Sequence, residues 1–236
     1  MKRRSRFGAF PLLFVLAVVS IAATSPILLA QNQHPRFTAP ELLTASDIAY
    51  PINSGAAGVV AIAVNLDSAG LVKETDVVRD IPSLTAPVLL SIQKWTFKPA
   101  RLDGKRVDST IIVSIAFNPS DYQLTGTGTP ALGKELKILS PDAAGFLPPR
   151  TIDASWAVYP VNSVAQGTVI LEARVNHAGR VTHVTPAWNP YLTRTSVSAA
   201  EKWTFEAAAF EGMPITATAI IGYVFRPPNT AARVAP

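Results

Sequence analysis

Apolar side chains fall on every second position at Val60, Ile62, Val64 and Leu66. That alternation predicts a strand with one buried face. The turn Asp67-Ser68-Ala69-Gly70 follows, and its glycine can take the positive φ that a tight hairpin needs. A second strand is predicted over roughly Leu71–Arg79. Next, Leu84, Val88, Ile92 and Trp95 are spaced by four, four and three, which is the apolar stripe of a helix. The final strand alternates most clearly, with Val107, Ile111, Val113, Ile115 and Phe117 on one face. The predicted unit is strand–strand–helix–strand.

The unit occurs twice. Phe37 and Pro40 recur as Phe146 and Pro149, and Tyr50-Pro51-Ile52-Asn53-Ser54 as Tyr159-Pro160-Val161-Asn162-Ser163. Gly58 and Gly70 recur as Gly167 and Gly179, all 109 positions apart. Lys94-Trp95-Thr96-Phe97 recurs as Lys202-Trp203-Thr204-Phe205, Gly104 as Gly212 and Phe117 as Phe225, now 108 apart. One single-residue gap reconciles the offsets, and so ordered a series marks an internal repeat. In the second copy Val169, Leu171, Ala173 and Val175 form the first strand. Asn176-His177-Ala178-Gly179 forms the turn, and Ile215, Ala217, Ala219, Ile221, Tyr223 and Phe225 the last strand. Its helix stripe, Leu192, Ser196, Ala200 and Trp203, is weaker.

The fold class expected is α+β: two tandem small domains, each a three-stranded antiparallel sheet with a helix on one face. They cover 37–117 and 146–225. The intervening 118–145 holds the turn-rich Gly126-Thr127-Gly128-Thr129-Pro130, so it reads as a linker, with a short strand near Lys134–Leu139. A tail covers 226–236.

The N-terminal 30 residues read differently. Lys2, Arg3, Arg4 and Arg6 precede an apolar run from Leu12 to Ala23, in which Ser20 is the only polar residue. Twelve positions are short for a span of about 20 and match the apolar region of a secretory signal. Ser20-Ile21-Ala22 and Leu28-Leu29-Ala30 are cleavage candidates. The alternative is an uncleaved anchor over Phe7–Ala30, interrupted by Pro11 and Pro26. The expected location is therefore the periplasm, or the inner membrane as a single-pass protein with periplasmic domains. Contact with the membrane is expected only through an uncleaved N-terminus.

Charge changes the picture less than its total suggests. The chain holds 21 Lys and Arg against 16 Asp and Glu, a net +5. Removing residues 1–30 leaves 17 against 16. The repeat is nearly neutral, which argues against a nucleic-acid partner. The chain has no cysteine, which removes disulfides, thiolate metal sites and a thiol nucleophile together.

The ordered residues of the repeat resemble the TonB C-terminal domain family. In the first copy they are Tyr50-Pro51, Gly58, Gly70, Trp95-Thr96-Phe97-Lys98-Pro99-Ala100, Asp103-Gly104-Lys105 and the strand Val107–Phe117. The second copy keeps Tyr159-Pro160, Gly167, Gly179, Trp203-Thr204-Phe205 and Gly212. It has Glu206-Ala207 for Lys98-Pro99 and Phe210-Glu211 for Leu102-Asp103, and so resembles a diverged copy. The resemblance implies a non-catalytic periplasmic module that takes up an extended segment of a protein partner, such as an outer-membrane transporter, by strand addition. If each last strand pairs only with the first, it lies at an edge. The candidate partner-binding residues are then Thr110, Ile112, Ser114 and Ala116, with Thr218, Ile220, Gly222 and Val224. Neither stretch carries Lys, Glu or Pro, the usual edge blockers. The family's energy transducers carry a membrane-embedded His and a long Pro-rich spacer. Here no His precedes His34, and only about 20 residues, at most ~66 Å of extended chain, separate Ala30 from Tyr50. A binding protein is therefore expected ahead of an anchored energy transducer, and a self-associating structural protein is the third reading.

No cofactor or metal is expected. His177 and His183 flank a turn without further ligand types. No Gly-x-Ser-x-Gly elbow or phosphate loop occurs. Asp67, Asp76, Asp80, Asp103 and Asp108 read as turn and strand-surface residues. Trp95 and Trp203 are expected in the core, while Trp156 and Trp188, which lack counterparts in the first copy, are candidates for exposed contacts.

Overall fold

The computed structural model describes residues 36–118, 128–160, 165–188 and 192–226. In the first copy, strands β1 (Gly58–Leu66) and β2 (Val72–Asp80) form a hairpin. Helix α1 (Pro82–Ile92) and strand β3 (Ser109–Phe117) follow. The linker supplies the short β4 (Lys134–Glu135). The second copy repeats the order as β5 (Gly167–Val175), β6 (Val181–Trp188), α2 (Thr193–Ala200) and β7 (Ala217–Phe225).

The copies do not build two separate three-stranded sheets. All seven strands share one sheet in the order β6-β5-β7-β3-β1-β2-β4. β3 pairs antiparallel with β1, and β7 with β5. Between them β3 and β7 run parallel, and this joint fuses the copies. The cause lies in composition: Ile111-Ile112-Val113 and Ile220-Ile221 are apolar on both faces, the mark of a strand buried on both sides.

The helices cover opposite faces. α1 packs with Val60, Ile62, Val64, Ile111, Val113, Ile115 and Phe117, and Ile220 and Val224 of β7 join this core. α2 packs with Val169, Leu171, Ala173, Val175, Ala219, Ile221, Tyr223 and Phe225, and Val59 and Ala116 join that one. Equivalent residues of the two copies therefore point in opposite directions, as about a two-fold axis along the strands. This fixes the register. Paired residues of a sheet share a face, so Val113 stands beside Ile220 and not beside its counterpart Ile221.

Smaller details also recur. Trp95 and Trp203 are buried beneath the helices. Tyr50 donates its hydroxyl to the Ala56 carbonyl at 2.7 Å, and Tyr159 to Ala165 at 2.6 Å. Each ring lies against the phenylalanine that ends the last strand, Phe117 or Phe225. Asp103-Gly104 and Glu211-Gly212 all have positive φ, the two-residue hairpin turn that suits the twist of its strands. These turns close small hairpins, Arg101–Leu102 with Lys105–Arg106 and Ala208–Phe210 with Met213–Ile215. No helix among the described residues is long and apolar enough to cross a membrane.

Candidate functional site

Each copy opens with a lead-in segment that pairs with its own post-helix strand, Glu41–Thr44 with Thr96–Lys98 and Arg150–Asp153 with Thr204–Glu206. The lead-in then crosses to the other copy. Thr168 Oγ1 accepts from the Ile48 amide at 2.7 Å and donates to its carbonyl at 3.2 Å. The Leu42 amide donates to Glu172 at 2.7 Å. In the reverse direction, Ser114 Oγ lies 3.0 Å from Thr151 Oγ1, and Asn118 donates to the Ala157 carbonyl at 2.8 Å.

This architecture corrects the edge placement expected for the last strands. Ser114 and Ala116 of β3, and Ile220, Gly222 and Val224 of β7, are buried at the joint, and Ile112 is buried under Leu139 beside Ala61, Ala63 and Val78. Thr110 and Thr218 are half-buried at its entrance. Thr110 donates its amide to Asp142 at 3.2 Å and its hydroxyl to Asn65 at 2.8 Å. From Val113 to Phe117, the edge of β3 that would receive an added strand is paired with Ile220–Val224 of β7. Gly222 makes the close approach possible: a Cβ there would run into Ile115 Cδ1 and lie 2.9 Å from Ile170 Cδ1.

The outermost long strands are β2 and β6. Each carries a register shift at two places, Lys73 and Val78 in β2 and the equivalent Thr182 and Ala187 in β6, and such bulges twist an edge away from further pairing. β2 is also partly covered. Arg79 and Asp80 pair with Glu135 and Lys134 of β4, and the Leu136 amide donates to the Val78 carbonyl at 2.9 Å. Glu135 binds Arg79 at 3.5 Å and Arg150 at 3.0 Å, and Arg150 grips Glu206 through Nε at 2.9 Å and Nη2 at 2.7 Å. This charge chain straps the linker over the first copy. Sequence reading missed it because its four members lie far apart in the chain. β6 has no covering strand among the described residues, but Pro186 within it has no amide to donate.

Two polar groups sit where burial shifts their ionisation. Desolvation raises the Glu172 carboxyl, which the Leu42 amide and Lys98 only partly offset. Desolvation likewise raises Asp142, against hydrogen bonds from Phe146, Ala144 and Thr110. Glu172 borders an open cavity of about 360 Å³ between the first lead-in and strands β5, β6 and β7, with Arg174, His183, Thr185 and Thr218 around it.

The remaining sequence candidates have local roles. Asp67 accepts from the Ala69 and Leu71 amides in its turn, and Asp103 from the Arg36 amide. Asp76 pairs with Lys137, Asp80 accepts from Thr85, and Asp108 pairs with Lys73. His177 and His183 are exposed, and among the described residues no group of three acidic or histidine side chains is placed to hold a metal. Trp156 is buried, whereas Trp188 is 40% exposed at the end of β6.

With this geometry in hand, the comparison with known families is specific. Residues 49–119 match the family described as Gram-negative bacterial TonB protein C-terminal. The stretch similar to a TonB C-terminal domain thus runs from just ahead of Tyr50 to just past β3. No curated protein and no solved structure matches the chain.

Proposed function

We propose that the chain is a non-catalytic cell-envelope protein in which two TonB C-terminal-like copies, at 37–117 and 146–225, bind a protein partner. The observation that carries this reading is the TonB C-terminal domain at residues 49–119, whose order of elements recurs in the second half. The proposed partner is an outer-membrane transporter or another envelope protein that offers an extended segment. The proposed location is the periplasm, reached through the N-terminal signal, with the inner-membrane anchor as the alternative.

The joint changes how strand addition would work. Of the candidate residues, Ser114 and Ala116 of β3 could receive a partner strand only by releasing Ile220–Val224 of β7, and Thr110 only by releasing Asp142. The joint therefore acts as a closed form of both edges.

The test is site-specific photo-crosslinking in cells, with the crosslinker placed in turn at Ile112, Ile220 and the exposed His183. Adducts with an outer-membrane transporter are the expected result. Adducts only between copies of the chain would favour the self-associating reading, and a complete absence of adducts would sink partner binding. Sequencing the N-terminus of the mature protein decides between anchor and signal: a terminus after Ala22 or Ala30 removes the anchored energy transducer.

A further inference from the structure

The internal symmetry supplies a comparison within one molecule. In the first copy, a groove lies between the lead-in of the second copy and the face of β1 and β2 away from α1. The linker fills it. Leu139 packs on Ala61, Ala63, Val78 and Ile112. Lys137 binds Asp76 at 2.8 Å. Glu135 is held by Arg79 and Arg150, and Asp142 caps the far end at the Thr110 amide. An extended stretch from Gly133 to Asp142 therefore crosses the groove.

The equivalent groove of the second copy is the 360 Å³ cavity. The offsets of 109 and 108 place Arg174 at the position of Asn65, His183 at Glu74, Thr185 at Asp76, Glu172 at Ala63 and Thr218 at Thr110. Its wall is Phe37, Thr38 and Ala39 where the filled groove has Phe146, Leu147 and Pro148. No described residue of the chain crosses it as Gly133–Asp142 crosses its twin.

The two grooves differ in the side chains that surround the seat of Lys137. Where Lys137 lies, the filled groove presents Asp76 and Glu74. The open groove presents Thr185 and His183, with Arg174 alongside, since position 65 touches position 76 (Asn65 Nδ2 is 3.2 Å from Asp76 Oδ2). The acids on the open side are already engaged. Glu172 holds the Leu42 amide and Glu41 holds Lys98 at 2.9 Å. A side chain seated as Lys137 is would meet Thr185, with the Arg174–His183 pair next along the strands and Glu172, bound to the Leu42 amide, across from it; Arg174 makes an acidic one the better fit there.

We propose that the groove between Phe37–Ala39 and strands β5 and β6 binds an extended acidic segment of a partner protein, in the manner in which the linker occupies its twin. The proposal rests on the partner-binding reading above and names the surface and the chemistry of the segment. The backbone of the segment would lie as Gly133–Leu139 does, with a carboxylate in place of Lys137 opposite Arg174 and His183.

The test uses the full-length chain and a labelled peptide of its own sequence Leu132–Asp142, in two forms, native and K137E. Fluorescence anisotropy measures both affinities. The acidic form should bind several-fold tighter than the native one. Arg174→Glu with His183→Glu should weaken it several-fold, the effect of reversing one exposed charge and adding a second acid beside it, and should reverse the preference towards the native peptide. Arg174→Gln with His183→Gln, folded by circular dichroism, should abolish the preference without reversing it. Equal binding of the two peptides, or binding indifferent to both double variants, overturns the proposal. Self-association removed by the same variants would assign the groove to a second copy and overturn it as well. Transporter adducts obtained alongside a flat titration would leave the partner reading standing and reject this groove alone.

Discussion

At the scale of single residues, two glycines show how one position can serve two purposes. Gly70 and Gly179 turn their hairpins with positive φ. Each carbonyl also accepts an amide from the Trp-x-Phe strand, from Phe97 at 3.0 Å and from Phe205 at 2.9 Å. A Cβ at either glycine would collide with the Phe97 or Phe205 carbonyl oxygen. Gly70→Ala and Gly179→Ala are each expected to destabilise the fold by about 2–4 kcal/mol, read from urea unfolding midpoints. The positive φ was legible in the turn sequence. The second role was not, because it needs a strand some 26 residues away. Glu172 gives a prediction in pH. Its carboxyl is raised by burial, so the folded chain holds that proton more tightly than the unfolded one. The associated stability is complete below the unfolded value of about 4.3 and is lost as the pH rises through the raised folded value. Glu172→Gln keeps an acceptor for the Leu42 amide and removes the titration. The fall in stability of the parent between about pH 4 and about pH 7 should therefore be smaller in the variant, as measured by urea midpoints at each pH. An equal fall in both proteins would show that Glu172 does not titrate in this window.

At the scale of elements, the joint between β3 and β7 is the decisive feature. Burying each of Val113, Ile220 and Val224 there contributes roughly 1.5–3 kcal/mol. The strand order within each copy was readable from alternation and the hairpin glycine, since those signals are local. The lateral neighbour of the last strand was not, because alternation reports which face is buried and says nothing of what lies beside it. One signal did point to the centre of a sheet. From Ile111 to Phe117 only Ser114 is polar, whereas a strand with one solvated face alternates. Because the chain lacks cysteine, Ser114→Cys with Ile221→Cys offers one possible disulfide, between residues paired across the joint. It should form on mild oxidation and raise the urea midpoint relative to the reduced form. If strand addition opens the joint, the oxidised form should also lose transporter adducts at Ile112. The linker strap gives a smaller effect. Arg150→Ala removes contacts to both Glu206 and Glu135, and the guanidinium is about one-third exposed at 33%. A loss near 1 kcal/mol in urea unfolding is expected, and it should shrink in high salt.

At the scale of the whole molecule, the cores are shared across the joint: Ile170, Ile220 and Val224 complete the core beneath α1, and Val59 and Ala116 complete the one beneath α2. The chain should therefore unfold as one body. Trp95 reports the first copy and Trp203 the second, both from buried sites. Variants that retain only one of these tryptophans, the others being replaced by Phe, should give the same transition midpoint by fluorescence as the backbone does by circular dichroism. Two separated transitions would mean that the copies fold independently. The matching order of strands and helices in the two halves was legible because the turn and core residues that set it keep their order. The fusion was not, because it depends on two faces, some 108 positions apart, meeting each other. One ion pair in each copy has a consequence for how such a duplicated chain avoids tangling. Glu41 stands opposite Lys98, and Arg150 opposite Glu206, at equivalent places with the signs exchanged. If either lead-in docked on the wrong copy, Glu41 would face Glu206 or Arg150 would face Lys98, and like charges directly opposite in a ladder repel. The exchanged signs act as a sorting code. During folding, each lead-in can tell its own half from one built in the same order of elements.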